Sequence, residues 1–181
     1  MTTKNKILLV TGIGDTYFSK NSDKKLEFGA DLADKVTNFL TQSSNIYSGI
    51  INLNTHYDTI KDVDVTKNVK SKSKVISYSM FNPELFDTWN SFTLIENQND
   101  SVEYNAKALD WILPPSNYEI HICGVDLNGF YKNVIQDLIK RGYTVYLYSD
   151  LIKRFKNTEE GISQIKNKNF VYCSHRSVRI K

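Results

Sequence analysis

Apolar residues in this chain follow two patterns that alternate along its length. The first is a short, nearly unbroken run: KILLVTG (Lys6 to Gly12), NIYSGIINLN (Asn45 to Asn54), and the opening of YEIHICGVDLNGFYKNVIQDLIKRGYTVYLYSD (Tyr118 to Asp150). Because successive side chains of a strand point to opposite faces, a run apolar at consecutive positions predicts a strand buried on both sides. The second pattern is helical. In KKLEFGADLADKVTNFLTQ the residues Leu26, Ala30, Ala33, Val36, Phe39 and Leu40 recur at helical spacing. The stretch from Tyr118 reads strand, helix, strand. Its helix carries one stripe of Leu127, Tyr131, Val134, Ile135, Leu138 and Ile139, with Gly142 as its cap.

Weaker signals fill the rest. KVISYS and SFTLIE predict short strands, with NPELFDTWN a short helix between them. SVEYNAKALDWIL predicts a helix stopped by Pro114 and Pro115. LIKRFKNTEEGISQIKN predicts a last helix and NFVYCSH a last strand, while THYDTIKDVDVTKNVKSKSK reads as loop. Strands alternating with helices imply a three-layer α/β/α domain with a central, mainly parallel sheet of about six strands, built over the whole of residues 1–181. Open sheets of this kind bind ligands beyond the carboxyl ends of their strands. Four segments should therefore converge on one rim: Gly12 to Asp15, Asn54 to His56, Ser77 to Phe81, and Gly124 to Phe130.

Composition narrows the function classes. With 40% hydrophobic and 24% charged residues, the chain is an ordinary globular protein in make-up, and a net charge of +3 gives no reason to expect a nucleic-acid partner. Cys123 and Cys173 lie in apolar runs, which predicts buried thiols rather than a disulfide framework. The amino-terminal apolar run is too short for a signal peptide, and no stretch approaches the length of a membrane span. The expected location is the cytoplasm. An abundance of Lys, Asn, Ile and Tyr with little Pro and Ala resembles an AT-rich bacterial or viral genome, so for a virus that is the host cytoplasm.

Several local features have plain readings. GIGD lacks the third glycine of a dinucleotide fingerprint and the Gly-Lys-Ser/Thr of a P-loop, and reads as a tight turn. The four lysines of TKNVKSKSK (Thr66 to Lys74) read as a solvated loop. Trp89, Trp111 and the many tyrosines suit either a core or a subunit contact.

The order of these segments resembles the isochorismatase-like family, which includes nicotinamidases and other cysteine hydrolases. LLVTGIGDTYF keeps that family's first strand and its aromatics, at Tyr17 and Phe18. NTH (Asn54 to His56) stands for its Asp-x-His and VISYSMF for its Lys before Ser-Ala-Phe. CGVDLNGF followed by RGYTVYLYSD stands for its CG(V/I)xTDxC helix opening and the strand ending in Ser-Asp. In the cysteine hydrolases a thiolate attacks the carbonyl carbon, a strand-end Asp takes the thiol proton and a Lys supports the charge. The resemblance places the Asp at Gly12, the Lys near Val75 and the Cys at Phe130, so none is present.

A shifted register does not restore them. Asp15 lies three residues past Gly12, and placing it at the strand end moves Tyr17 and Phe18 out of step. Lys74 adjoins Val75, but strand alternation turns it to the other face. Cys123 reads as a packed thiol. His56 falls where nicotinamidases carry a metal-binding His, with Asn54 in place of the Asp. Two weak ligands do not make a site, so neither metal nor cofactor is expected. The resemblance therefore implies a catalytically degenerate protein acting by binding. Its vestigial pocket is lined by Asp15, Asn54, His56, Phe81, Asp126 and Asn128, and its partner is a small metabolite or another protein. A homo-oligomer is expected, because the family self-associates. The alternative is an active hydrolase using some of Asp15, His56, Lys74 and Asp126. In the family the Gly-Val link, here Gly124–Val125, is often a cis peptide that shapes an oxyanion hole.

Overall fold

The first apolar run forms β1 (Asn5–Thr11), an interior strand of the sheet. Its side chains divide between the two faces: Ile7 and Leu9 join one buried cluster, Leu8 and Val10 the other. The computed structural model describes residues 3–11, 29–43, 46–55, 75–81, 91–97, 100–105, 109–126, 130–154, 162 and 164–178. After β1 come α1 (Gly29–Ser43), β2 (Gly49–Thr55), β3 (Val75–Phe81), β4 (Ser91–Asn97), β5 (Asp100–Asn105) and the one-turn α2 (Leu109–Ile112). Then follow β6 (Tyr118–Asp126), α3 (Phe130–Lys140), β7 (Val145–Arg154), β8 (Phe170–Cys173) and a 3-10 turn (His175–Ser177).

The described strands form one sheet in the order β5-β4-β3-β2-β1-β6-β7-β8. The six from β3 to β8 across this order are joined by parallel pairings, as the alternation of strands and helices predicts. β4 and β5 extend one side as an antiparallel pair. The helices cover opposite faces. Leu32, Val36, Phe39 and Leu40 of α1 pack with Leu8, Val10, Cys123 and Val125. Tyr131, Val134, Ile135 and Leu138 of α3 pack with Ile7, Leu9, Ile120, Ile122, Val145 and Leu147. The result is the expected three-layer α/β/α arrangement. Gly142, with φ 95°, ends α3 as predicted: its N–H bonds the Ile139 carbonyl and the Tyr143 N–H reaches back to that of Leu138.

Two element assignments need correction. Asp100–Asn105 is strand, and of the predicted helix over residues 101–113 the described helical part is Leu109–Ile112. The reason is cross-strand pairing: Phe92 stands opposite Tyr104 and Leu94 opposite Val102, an antiparallel ladder that overrides local helical spacing. Leu151–Arg154, expected to open the last helix, instead extends β7. Between the pairs Ile122–Leu147 and Gly124–Ile152, β7 carries three more residues than β6. An odd excess reverses the faces, so Leu151 joins the α1 side and Ile152 the α3 side. The predicted helix over residues 82–90 and almost all of the loop over 55–74 lie outside the described residues. No helix among the described residues is long and apolar enough to cross a membrane.

Candidate functional site at the strand-order switch

From β1 the chain proceeds to β2 and β3 on one side, while β6, β7 and β8 lie on the other. The strand order therefore reverses between β1 and β6, and the crevice beyond their carboxyl ends is where such sheets receive ligands. Thr11 and Gly124 are register partners at this place. Two residues further, β6 ends at Asp126, whose backbone is paired with Arg154 of β7. β2 and β3 bring their own ends to the same rim, with Asn54 opposite Met80 and Thr55 opposite Phe81.

A buried hydrogen-bonded set fixes the crevice floor. Thr11 is 2% exposed, a polar residue closing an apolar strand. Its Oγ1 lies 2.8 Å from the hydroxyl of Tyr131, 3.0 Å from the carbonyl of Val125 and 3.4 Å from that of Cys123. A threonine hydroxyl holds one proton. Thr11 donates it to Val125, so Tyr131 donates to Thr11. This ties the end of β1 to both β6 and the first turn of α3. Gly124 makes that approach possible: it has φ 115°, and a Cβ there would run into the Thr11 carbonyl and lie 2.8 Å from the Thr11 nitrogen.

The sequence-derived positions fare differently from one another. Asn54 and Phe81 lie at the rim ends of β2 and β3, and Asp126 at the end of β6. Phe130 opens α3, one residue before the tyrosine that meets Thr11. Gly12, Asp15, Lys74, His56 and Asn128 lie outside the described residues. Val75 lies at the far end of its strand. It stands opposite Gly49 at the start of β3, six residues before Phe81. At about 3.3 Å per residue that is about 20 Å from the rim end of the same strand. No peptide bond among the described residues is cis, so the Gly124–Val125 link is trans.

Cys123 is fully buried, and burial pushes its thiol above the usual range, the opposite of what a nucleophile requires. Among the described residues, no three His, Cys, Asp or Glu side chains gather to hold a metal ion. Sequence reasoning missed Thr11 and treated Tyr131 as purely apolar. The available signal was a lone hydroxyl residue closing a doubly buried strand, since a buried hydroxyl needs a partner.

No family model matches the sequence, and no curated protein matches it either. Solved structures do resemble it in shape. The pyrazinamidase of Pyrococcus horikoshii, solved in complex with zinc, superposes with a TM-score of 0.61 at 15% identity, covering 94% of this chain and 99% of that one. A nicotinamidase from Staphylococcus aureus gives 0.62 at 13% identity, over 94% and 99% of the two chains. N-carbamoylsarcosine amidase from Thermoplasma acidophilum gives 0.60 at 11%, over 98% and 99%. The fold is that of the isochorismatase-like cysteine hydrolases and nicotinamidases.

Proposed function

We propose that this protein is a catalytically degenerate member of that structural class which acts by binding a small metabolite or a protein partner, and which self-associates. The observation that supports it most is the hydroxyl pair Thr11–Tyr131 at the switch point, closed by the Val125 carbonyl. Hydrolysis through a thiolate needs a nucleophile of low pKa beside a base and a cation. The sequence has Gly12 and Phe130 at the positions matched to the base and the nucleophile. The buried polar side chain that reaches α3 from the end of β1 is a threonine committed to other partners, not a carboxylate.

One of the similar structures holds zinc, and the chain's donors suit that ion poorly. At the matching place it offers Asn54, a neutral amide, and His56. A catalytic zinc takes three protein ligands, commonly imidazole, carboxylate or thiolate, and this pair falls short of that set.

The test is a panel of small amides, carbamoyl compounds and vinyl ethers, assayed for turnover and for binding by thermal shift. The expected outcome is no hydrolysis, with a Tm rise for the class that fits the crevice. Turnover that disappears on Asp15→Asn or His56→Ala would overturn this reading in favour of a hydrolase with rearranged catalytic residues.

A further inference from the structure

On the α1 face of the sheet, away from the switch point, a line of polar groups runs through the core. Glu119 Oε1 lies 2.9 Å from His121 Nε2, and His121 Nδ1 lies 2.6 Å from the Tyr148 hydroxyl. That hydroxyl lies 2.7 Å from the hydroxyl of Tyr47. The ring of His121 stacks on Tyr146, at 4.5 Å and 4° between planes, and meets Tyr47 edge-on. His121 is wholly buried, and the Glu119 side chain is 16% exposed. The chain thus joins β6 and β7 to the segment leading into β2, from near the surface to the interior.

Counting protons gives the line a direction. A glutamate carboxylate accepts, so Nε2 carries the hydrogen and Nδ1 offers a lone pair. Tyr148 then donates to Nδ1, and Tyr47 donates to Tyr148. Every donor is matched while His121 is neutral. If Nδ1 also gains a proton, it must donate to Tyr148, and the Tyr148 proton must turn to Tyr47, while Nε2 still donates to Glu119. Tyr47 has no other hydrogen-bond partner among the described residues, so among them one buried hydroxyl proton is left without an acceptor.

We propose that Glu119, His121, Tyr148 and Tyr47 form a pH-sensitive latch, fully satisfied and one-directional with His121 neutral and strained by an unmatched buried donor when His121 is protonated. The other ionisable groups around the ring do not change this. Lys6 on β1 repels an imidazolium, and Cys123 on β6 and Tyr146 on β7 are neutral. From the far side, α1 presents Phe39, and His175 of the 3-10 turn meets Tyr148 and Phe39 by ring edges. Burial lowers the proton affinity of His121 below the ordinary value of 6.5, against the opposing pull of Glu119. A histidine so lowered contributes stability that is whole above 6.5 and is lost as pH falls from there towards the folded-state midpoint.

The experiment is a pH titration of the imidazole nitrogens by NMR in the whole protein, with the His121 signals assigned by His121→Gln. The expected result is a neutral ring at pH 7 with the proton on Nε2. Tyr148→Phe removes the donor that favours the neutral form and raises the midpoint. Glu119→Gln, at the partly exposed end, removes the charge that favours the imidazolium and lowers it. Each displacement should be about one pH unit, a tenfold change in proton affinity. A purely structural role would move neither midpoint in these opposite senses. A charged ring at pH 7, the proton on Nδ1, or a midpoint unmoved by Glu119→Gln overturns the latch. Should Tyr148→Phe not fold, the wild-type tautomer and the Glu119→Gln shift still decide the matter.

Discussion

Gly124 and Thr11 are register partners that lie far apart in sequence, and each restricts what the other position can be. At Gly124 both the positive φ and the adjacent Thr11 backbone exclude a side chain, so relief requires β1 and β6 to separate. Gly124→Ala should therefore cost about 3 kcal/mol or more of stability, measured by urea denaturation at equilibrium. A loss under about 1 kcal/mol would mean that β1 and β6 are not so close. Thr11→Val keeps the shape but removes the hydroxyl that Tyr131 and the Val125 carbonyl both meet, an expected loss of about 1–2 kcal/mol. Adding Tyr131→Phe removes the other hydroxyl of the pair as well. The double variant should be more stable than the sum of the single losses implies, with a coupling of about 1 kcal/mol. Strict additivity would show that the two hydroxyls do not meet.

Among the elements, the widened part of β7 presents Asp150, and this carboxylate organises the carboxyl-terminal 3-10 turn. It accepts from the Ser174 hydroxyl at 2.6 Å, from the His175 backbone N–H at 2.9 Å and from His175 Nδ1 at 2.7 Å. Partial burial tends to raise the Asp150 pKa, but these three donors prevail and hold it below the ordinary 3.8. A depressed carboxylate stabilises the fold above its ordinary value and loses that contribution as pH falls through the folded one. The turn should therefore stay docked until pH drops below 3.8, whereas the contribution of His121 starts to be lost already at 6.5. Asp150→Asn should loosen it at neutral pH, costing about 1 kcal/mol after allowance for solvent screening, with early proteolysis at the carboxyl terminus as the readout. Unchanged proteolysis would mean the turn is held by other contacts. None of this was legible in the sequence, where LIKR reads as the start of a helix. Only pairing with β6 shows that these residues continue the strand with an odd excess. The Asp100–Asn105 strand was hidden in the same way, since its ladder with β4 is a tertiary fact. Where periodicity was long and caps were present, as in α3 with Gly142, the local pattern sufficed.

For the molecule as a whole, the layer order and the rim followed from alternation alone, because doubly buried strands with intervening amphipathic helices have few ways to pack. The chemistry at that rim did not follow so directly. Strand order decides which ends meet, and neither the partnership of Thr11 with Gly124 nor the distance of Val75 from the rim can be read from spacing along the chain. The same order has a consequence for how the molecule opens. β1 and β6 are flanked by strands on both sides and covered on both faces, with Leu8, Leu9, Ile120 and Ile122 fully buried. β8 is a four-residue edge strand with partly exposed side chains. Amides of Leu9 and Ile122 should exchange with solvent only through global unfolding, while those of Val171 and Tyr172 should exchange through local opening, about 100-fold faster or more. Hydrogen-exchange NMR at neutral pH measures this directly. Equal protection in β1 and β8 would mean that the edge is covered, and given the self-association proposed above, a second copy of the chain would be the first candidate to examine by repeating the exchange at lower concentration.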